Sequence, residues 1–224
     1  MKVQRLLLVS AALAIVASYS TAAPAEIFLS LQEGNNTASA NDTATPGTAL
    51  YNGTIGDFTT TISVGLGYPA IGAPNDAILD LTSADLTTGT NGGTLTIKLS
   101  ETGFTTTVAT TEFLSRVTGN YVGANAVMDS YYDPSDTAFG TTDVLAQGLT
   151  DNQSATIFAP PITGPYSLTE IFTITAGANS LTSLDGAIID TPEPGSLSLF
   201  GAALLVLGAL AGRRAVIARS LPAP

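Results

Sequence analysis

From Phe58 to Leu66 the chain alternates residue by residue: Phe58, Thr60, Ile62, Val64 and Leu66 share one parity, Thr59, Thr61 and Ser63 the other. A strand turns successive side chains to opposite faces, so this period of two belongs to a sheet with one face buried and one wet. The pattern recurs where Leu95, Ile97 and Leu99 alternate with Thr94, Thr96 and Lys98. It returns less cleanly at Phe104, Thr106 and Val108, at Ala126 and Met128, and at Leu168, Phe172 and Ile174. Threonine, β-branched and hydroxylated, suits the outward positions. No amphipathic helix period competes.

The alternation predicts an all-β region. Candidate strands run over Ile27 to Leu31, Ala49 to Ile55, Phe58 to Gly67, Ala77 to Leu81, Thr94 to Ser100 and Phe104 to Thr111. Others cover Glu112 to Thr118, Ala126 to Tyr132, Ser154 to Ala159, Tyr166 to Thr175 and Ala187 to Asp190. Turn signals stand between them at Asn52-Gly53, Gly72 to Asp76, Asn91-Gly92-Gly93 and Asp133 to Asp136. Short strands so punctuated imply an antiparallel two-layer β-sandwich, jelly-roll or immunoglobulin-like. A β-solenoid would need a regular short repeat, and the sequence holds none.

The 224 residues include no His and no Cys. That removes Ser-His-Asp and Cys-His nucleophiles, imidazole or thiolate zinc sites, iron-sulfur clusters and disulfides. Of 18 Asp and Glu only Glu193 lies outside Glu26 to Thr191, and of seven Lys and Arg only Lys98 and Arg116 lie inside it. The body therefore carries 2 bases against 17 acids, a formal charge of −15. A nucleic-acid partner needs clustered Lys and Arg and is excluded. A neutral sugar, or an acidic one bridged by calcium, fits the charge better.

The ends differ from the body. Lys2 and Arg5, the apolar run Leu6 to Val16 and the small-residue stretch Ser18 to Ala25 predict a signal peptide over 1–25. Signal peptidase is expected to cut after Ala22 or Ala25. Near the other end Leu197 to Leu210 carries no charge and, with its flanks Gly195 to Gly212, is long enough for a single transmembrane helix. Arg213 and Arg214 follow at once, a cytoplasmic stop that leaves the body outside. The chain thus divides into a signal peptide, 1–25, an acidic Thr-rich sandwich, 26–191, and a C-terminal segment, 192–224.

Pro192-Glu193-Pro194 precedes the apolar run as a stiff, extended linker. The order Pro-Glu-Pro, apolar helix, Arg-Arg resembles the PEP-CTERM sorting signal of exopolysaccharide-producing Gram-negative bacteria, also catalogued as an ice-binding protein C-terminal domain. The resemblance is confined to the C-terminal segment. It implies that a membrane-embedded exosortase recognises Pro192, Glu193 and Pro194, removes the helix and basic tail, and releases the protein to the cell surface or extracellular matrix. On this reading the protein is anchored in the inner membrane before processing and is a substrate, not an enzyme, with exopolysaccharide as a partner in the matrix.

Within the body, Asp129, Asp133, Asp136 and Asp143 fall in one stretch, and clustered carboxylates on a turn are the ligands a calcium ion takes. No other cofactor is indicated. A calcium- or carbohydrate-binding module, adhesin or lectin-like, with its ligand between Ala126 and Asp143 is the alternative function. Tyr131 and Tyr132 point to opposite faces of a strand, so at most one presents its ring to a sugar. Catalytic carboxylates are not indicated, since Glu26, Glu33, Glu101, Glu112 and Glu170 show no motif.

Overall fold

The computed structural model describes residues 25–105, 111–159, 162, 164–191 and 204. Ten strands follow in order: β1 (Glu26–Glu33), β2 (Asn36–Asn41), β3 (Thr48–Ile55), β4 (Phe58–Leu66), β5 (Ile78–Thr88), β6 (Gly93–Phe104), β7 (Thr111–Asp133), β8 (Asp143–Leu149), β9 (Gln153–Ala159) and β10 (Tyr166–Thr191). Every pairing is antiparallel. The strands join in one sheet of order β2-β1-β6-β10-β5-β4-β3, with β7 running along β10 and carrying β8 and β9 on its far side.

Two strands are much longer than a small domain can hold straight. Phe113 and Tyr132 both belong to β7, and a flat strand would set them roughly 60 Å apart. Their rings stack with centroids 6.3 Å apart. The β7–β10 ribbon therefore bends back on itself. The first half of β10 pairs with β6 from Tyr166 to Ala176, and the second half pairs with β5 from Leu181 to Ile189. Across the bend the halves face each other, with β1 and β6 lying against β3 and β4. The core fills the space between them: Leu29, Leu31, Leu95, Ile97 and Leu99 from one half, Phe58, Leu79, Leu81, Leu184 and Ile188 from the other, all buried. Where the layers come closest, side chains shrink to glycine. A Cβ on Gly186 would stand 2.4 Å from the Phe172 ring, and one on Gly65 would stand 2.2 Å from Leu99 Cδ1.

The bend has its own chemistry. Between the pairs Ala176↔Ala124 and Leu181↔Val122, β10 inserts Gly177 to Ser180 opposite the single residue Gly123. Such an unequal count bends and twists a ribbon. Gly123 (φ 72°) and Asn179 (φ 54°) take the left-handed conformation that the excursion needs. The Ser180 hydroxyl is shared between the carbonyls of Gly123 (2.7 Å) and Gly177 (2.9 Å). Thr88 closes the knot, donating its hydroxyl to Gly177 O (2.7 Å) and accepting the Ser180 N–H (2.8 Å). Turns at the same end are tied by acids: Glu33 accepts the Asp57 N–H, and Asp57 accepts those of Asn91 and Gly92.

The all-β, antiparallel expectation holds, and the folded sheet is consistent with a sandwich. Several boundaries need correction. Glu112 to Thr118 and Ala126 to Tyr132 are parts of one strand, β7, and Tyr166 to Thr175 and Ala187 to Asp190 are parts of β10. Gly119-Asn120 and Gly177 to Ser180 fall between the expected strands yet sit inside β7 and β10, the first pair in regular register and the second stretch as the one irregularity of that pairing. Two strands, β2 and β8, were not expected, and β5 runs on past Leu81 to Thr88. Of the strand expected over Phe104 to Thr111, residues 106–110 lie outside the described residues.

Candidate functional site

Of the four aspartates singled out in the sequence, Asp129 and Asp133 lie on β7, Asp136 in the connection that follows and Asp143 at the start of β8. Asp129 Oδ1 accepts the Gly148 N–H (2.8 Å), and Asp133 Oδ1 accepts that of Ser135 (2.8 Å). Asp136 reaches across to β6 and accepts the Gly103 N–H (2.7 Å). Asp143 stands opposite Tyr132 in the β7–β8 register. The carboxylates of Asp129, Asp133 and Asp136 thus serve three different backbone segments, and among the described residues no three His, Cys, Asp or Glu converge as metal ligands would. Tyr132 is buried in an aromatic group with Phe113, Phe104 and Tyr166, while Tyr131 is half-buried on the other face.

A concave feature lies elsewhere, on the outer face of the half built from β5, β7, β9 and the end of β10. A trough of about 390 Å³ is lined by Thr118, Gly119, Asn120, Asn152, Ser183, Leu184 and Asp185. It shares Asn120 and Ser183 with a second depression of about 320 Å³ that reaches Val122, Leu181, Asp85 and Thr87. Alternation explains the lining: Thr118, Asn120 and Val122 are the outward positions of β7, and Leu181, Ser183 and Asp185 those of β10. One end is amide, hydroxyl and carboxylate. The other is aliphatic, with Val122 64% and Leu181 54% exposed. Burial pushes the Asp185 carboxyl above the usual range, nearby Asp80 adds to this, and Arg116 pulls it back. No motif marks this trough, because its residues come from separate strands and a turn, and only pairing assembles them.

Two acids are placed oddly for a fold so poor in bases. Glu101 and Glu170 lie on the inner face and are fully buried. Glu101 Oε1 accepts the Tyr68 N–H (2.8 Å), while its Oε2 and both oxygens of Glu170 lack hydrogen-bond partners. Desolvation by burial pushes Glu101 up to about 9, against the pull of the Tyr68 N–H and with a further rise from Asp42. Glu170 is held well above the usual carboxylate range by burial and by Asp80 and Asp185, with the backbone amides of Ile188 and Leu81 acting in the opposite sense. Asp190, 6% exposed, is pushed up to about 6 by burial and by Asp76. Burial thus disfavours the charged form of all three, and of Glu101 and Glu170 most.

Pro192, Glu193 and Pro194, expected to be the sorting motif, lie outside the described residues, as do Arg213 and Arg214, the apolar run except Leu204, and residues 1–24 of the expected signal peptide. Among the described residues no helix is long and apolar enough to cross a membrane. The last strand ends at Thr191, so the Pro-Glu-Pro motif starts at the next residue. No protein-family model matches the chain, and no curated protein matches it significantly.

Proposed function

We propose that this is an exported, non-enzymatic protein of the cell surface or extracellular matrix, sorted by an exosortase at Pro192-Glu193-Pro194. The observation that carries this reading is the order of the C-terminal segment: Pro-Glu-Pro directly after the last strand, then an uncharged run of spanning length, then Arg213-Arg214. In this reading 1–25 is a signal peptide, the run Leu197 to Leu210 holds the protein in the inner membrane of a Gram-negative bacterium until cleavage, and the folded sheet is a two-layer sandwich delivered to the exopolysaccharide layer. A body without His or Cys, whose aspartates cap turns, supports a structural role rather than catalysis. The test is the intact mass of the protein from its native host, taken separately from membrane and medium. A species ending near Pro192 to Gly195 in the medium is the expected result. A chain running through Pro224, confined to the membrane, would overturn the sorting reading.

The trough favours a second reading, a module for neutral carbohydrate. Asn120, Asn152, Ser183 and Asp185 offer the paired donors and acceptors that ring hydroxyls take, and Val122 and Leu181 offer an aliphatic floor for the C–H face. The ligand would then lie on this face rather than between Ala126 and Asp143. Asp185→Asn is expected to weaken binding to a neutral polysaccharide by about tenfold, the effect of one lost charge-assisted hydrogen bond. Unchanged binding, or none by the unaltered protein, would remove the reading.

A further inference from the structure

Both ends of the described sheet leave the molecule at the end opposite the bend. Glu26 opens β1 opposite Thr102 of β6, and two residues further on Phe104 pairs with Tyr166. The Tyr166 ring lies 6.0 Å from that of Phe113, whose partner Asp190 precedes the last strand residue, Thr191. The same end carries the apolar exposure of β9. Among the described residues this strand pairs only with β7, and it contains no charged residue. Phe158 is 64% and Ile157 38% exposed. Across the register Thr191 pairs with Glu112 and Glu112 with Phe158, so Phe158 stands two strand spacings, roughly 10 Å, from the residue where the sheet ends.

We propose that this end of the sheet rests on the membrane surface, with Phe158 seated among the lipid headgroups, while the protein is still anchored. The inference rests on reading Leu197 to Leu210 as membrane-spanning. Between Thr191 and Leu197 stand only Pro192, Glu193, Pro194, Gly195 and Ser196, which reach about 18 Å at full extension. A tether that short keeps the end of β10 close to the bilayer, and an exposed aromatic ring beside it has an amphipathic interface to enter. The contact holds the motif, stiffened by its prolines, at the depth where a membrane-embedded enzyme can take it.

The chain contains no Trp, so a single introduced Trp reports one place. Three variants of the full chain, Phe158→Trp, Asn91→Trp at the bend end and Leu204→Trp in the apolar run, are reconstituted in phosphatidylcholine vesicles carrying brominated acyl chains. Phe158→Trp and Leu204→Trp are expected to shift to the blue and lose emission to bromine, and Asn91→Trp to do neither. If Leu204→Trp is quenched and Phe158→Trp is not, the anchor stands and the docking is overturned. If Phe158→Trp shifts with protein concentration but ignores bromine, a second copy covers β9 and the proposal again fails. If Leu204→Trp is not quenched, the membrane reading itself fails and takes the docking with it.

Discussion

Glu101 and Glu170 show how far one side chain can set the chemistry of a core. Each occupies an inward position in an otherwise apolar row, Leu95-Ile97-Leu99-Glu101 on β6 and Leu168-Glu170-Phe172-Ile174 on β10. Burial raises both in the fold, Glu101 to about 9, whereas in the unfolded chain they ionise around their ordinary value of 4.5. A raised folded value means that the stabilising contribution is complete below pH 4.5 and is lost as pH rises, for Glu101 through about 9. The slope is about 1.4 kcal/mol per pH unit for each such group. Glu101→Gln and Glu170→Gln keep shape and remove the ionisation. Thermal melts of both variants should match the unaltered protein near pH 4.5 and exceed it increasingly towards pH 8. Equal melting temperatures at pH 8 would show that the carboxyls reach water or a partner and are not buried acids.

At the scale of elements, the fold depends on making two long strands bend at one point. Thr88 sits on β5 yet serves β10, accepting the Ser180 N–H and donating to Gly177 O. Thr88→Val leaves the Ser180 N–H unpaired in a buried place and should cost about 1–3 kcal/mol. Denaturant melts give the number, and a loss below the lower bound would mean that another group takes the N–H. The bend was also where the sequence was least legible. Alternation reports which face a residue takes, so the sheet and most of its strands could be read from Thr59 to Leu66 or Leu95 to Lys98 alone. It says nothing of partners. Gly119-Asn120 and Gly177 to Ser180 have the composition of turns, and only pairing between β7 and β10 shows that the ribbon continues through them. The trough was hidden for the same reason: Asn120, Asn152 and Ser183 are unremarkable until three segments meet. The parity of Glu101 and Glu170, by contrast, was visible, since each falls in step with buried neighbours. No motif surrounds either residue, so parity is the one sign of their burial.

The whole molecule adds a second electrostatic burden of a different kind. With 17 acids against Lys98 and Arg116 between Glu26 and Thr191, most of the charge lies in solvated turns and on outward strand positions, where it repels itself. That repulsion acts through water and is screened by salt, with a Debye length of about 10 Å at 0.1 M shrinking to about 3 Å at 1 M. Desolvation of Glu101 and Glu170 is not screened, because no ions enter the core. The two burdens weaken the fold in the same direction as pH rises, yet they separate under salt. At pH 8 the melting temperature of the unaltered protein should climb as sodium chloride is raised towards 1 M. The gain from Glu101→Gln at pH 8 should persist undiminished at high salt. If salt instead abolishes that gain, Glu101 belongs to the screened surface set, and the stability of this acidic sheet is governed by its net charge rather than by the acids sealed inside it.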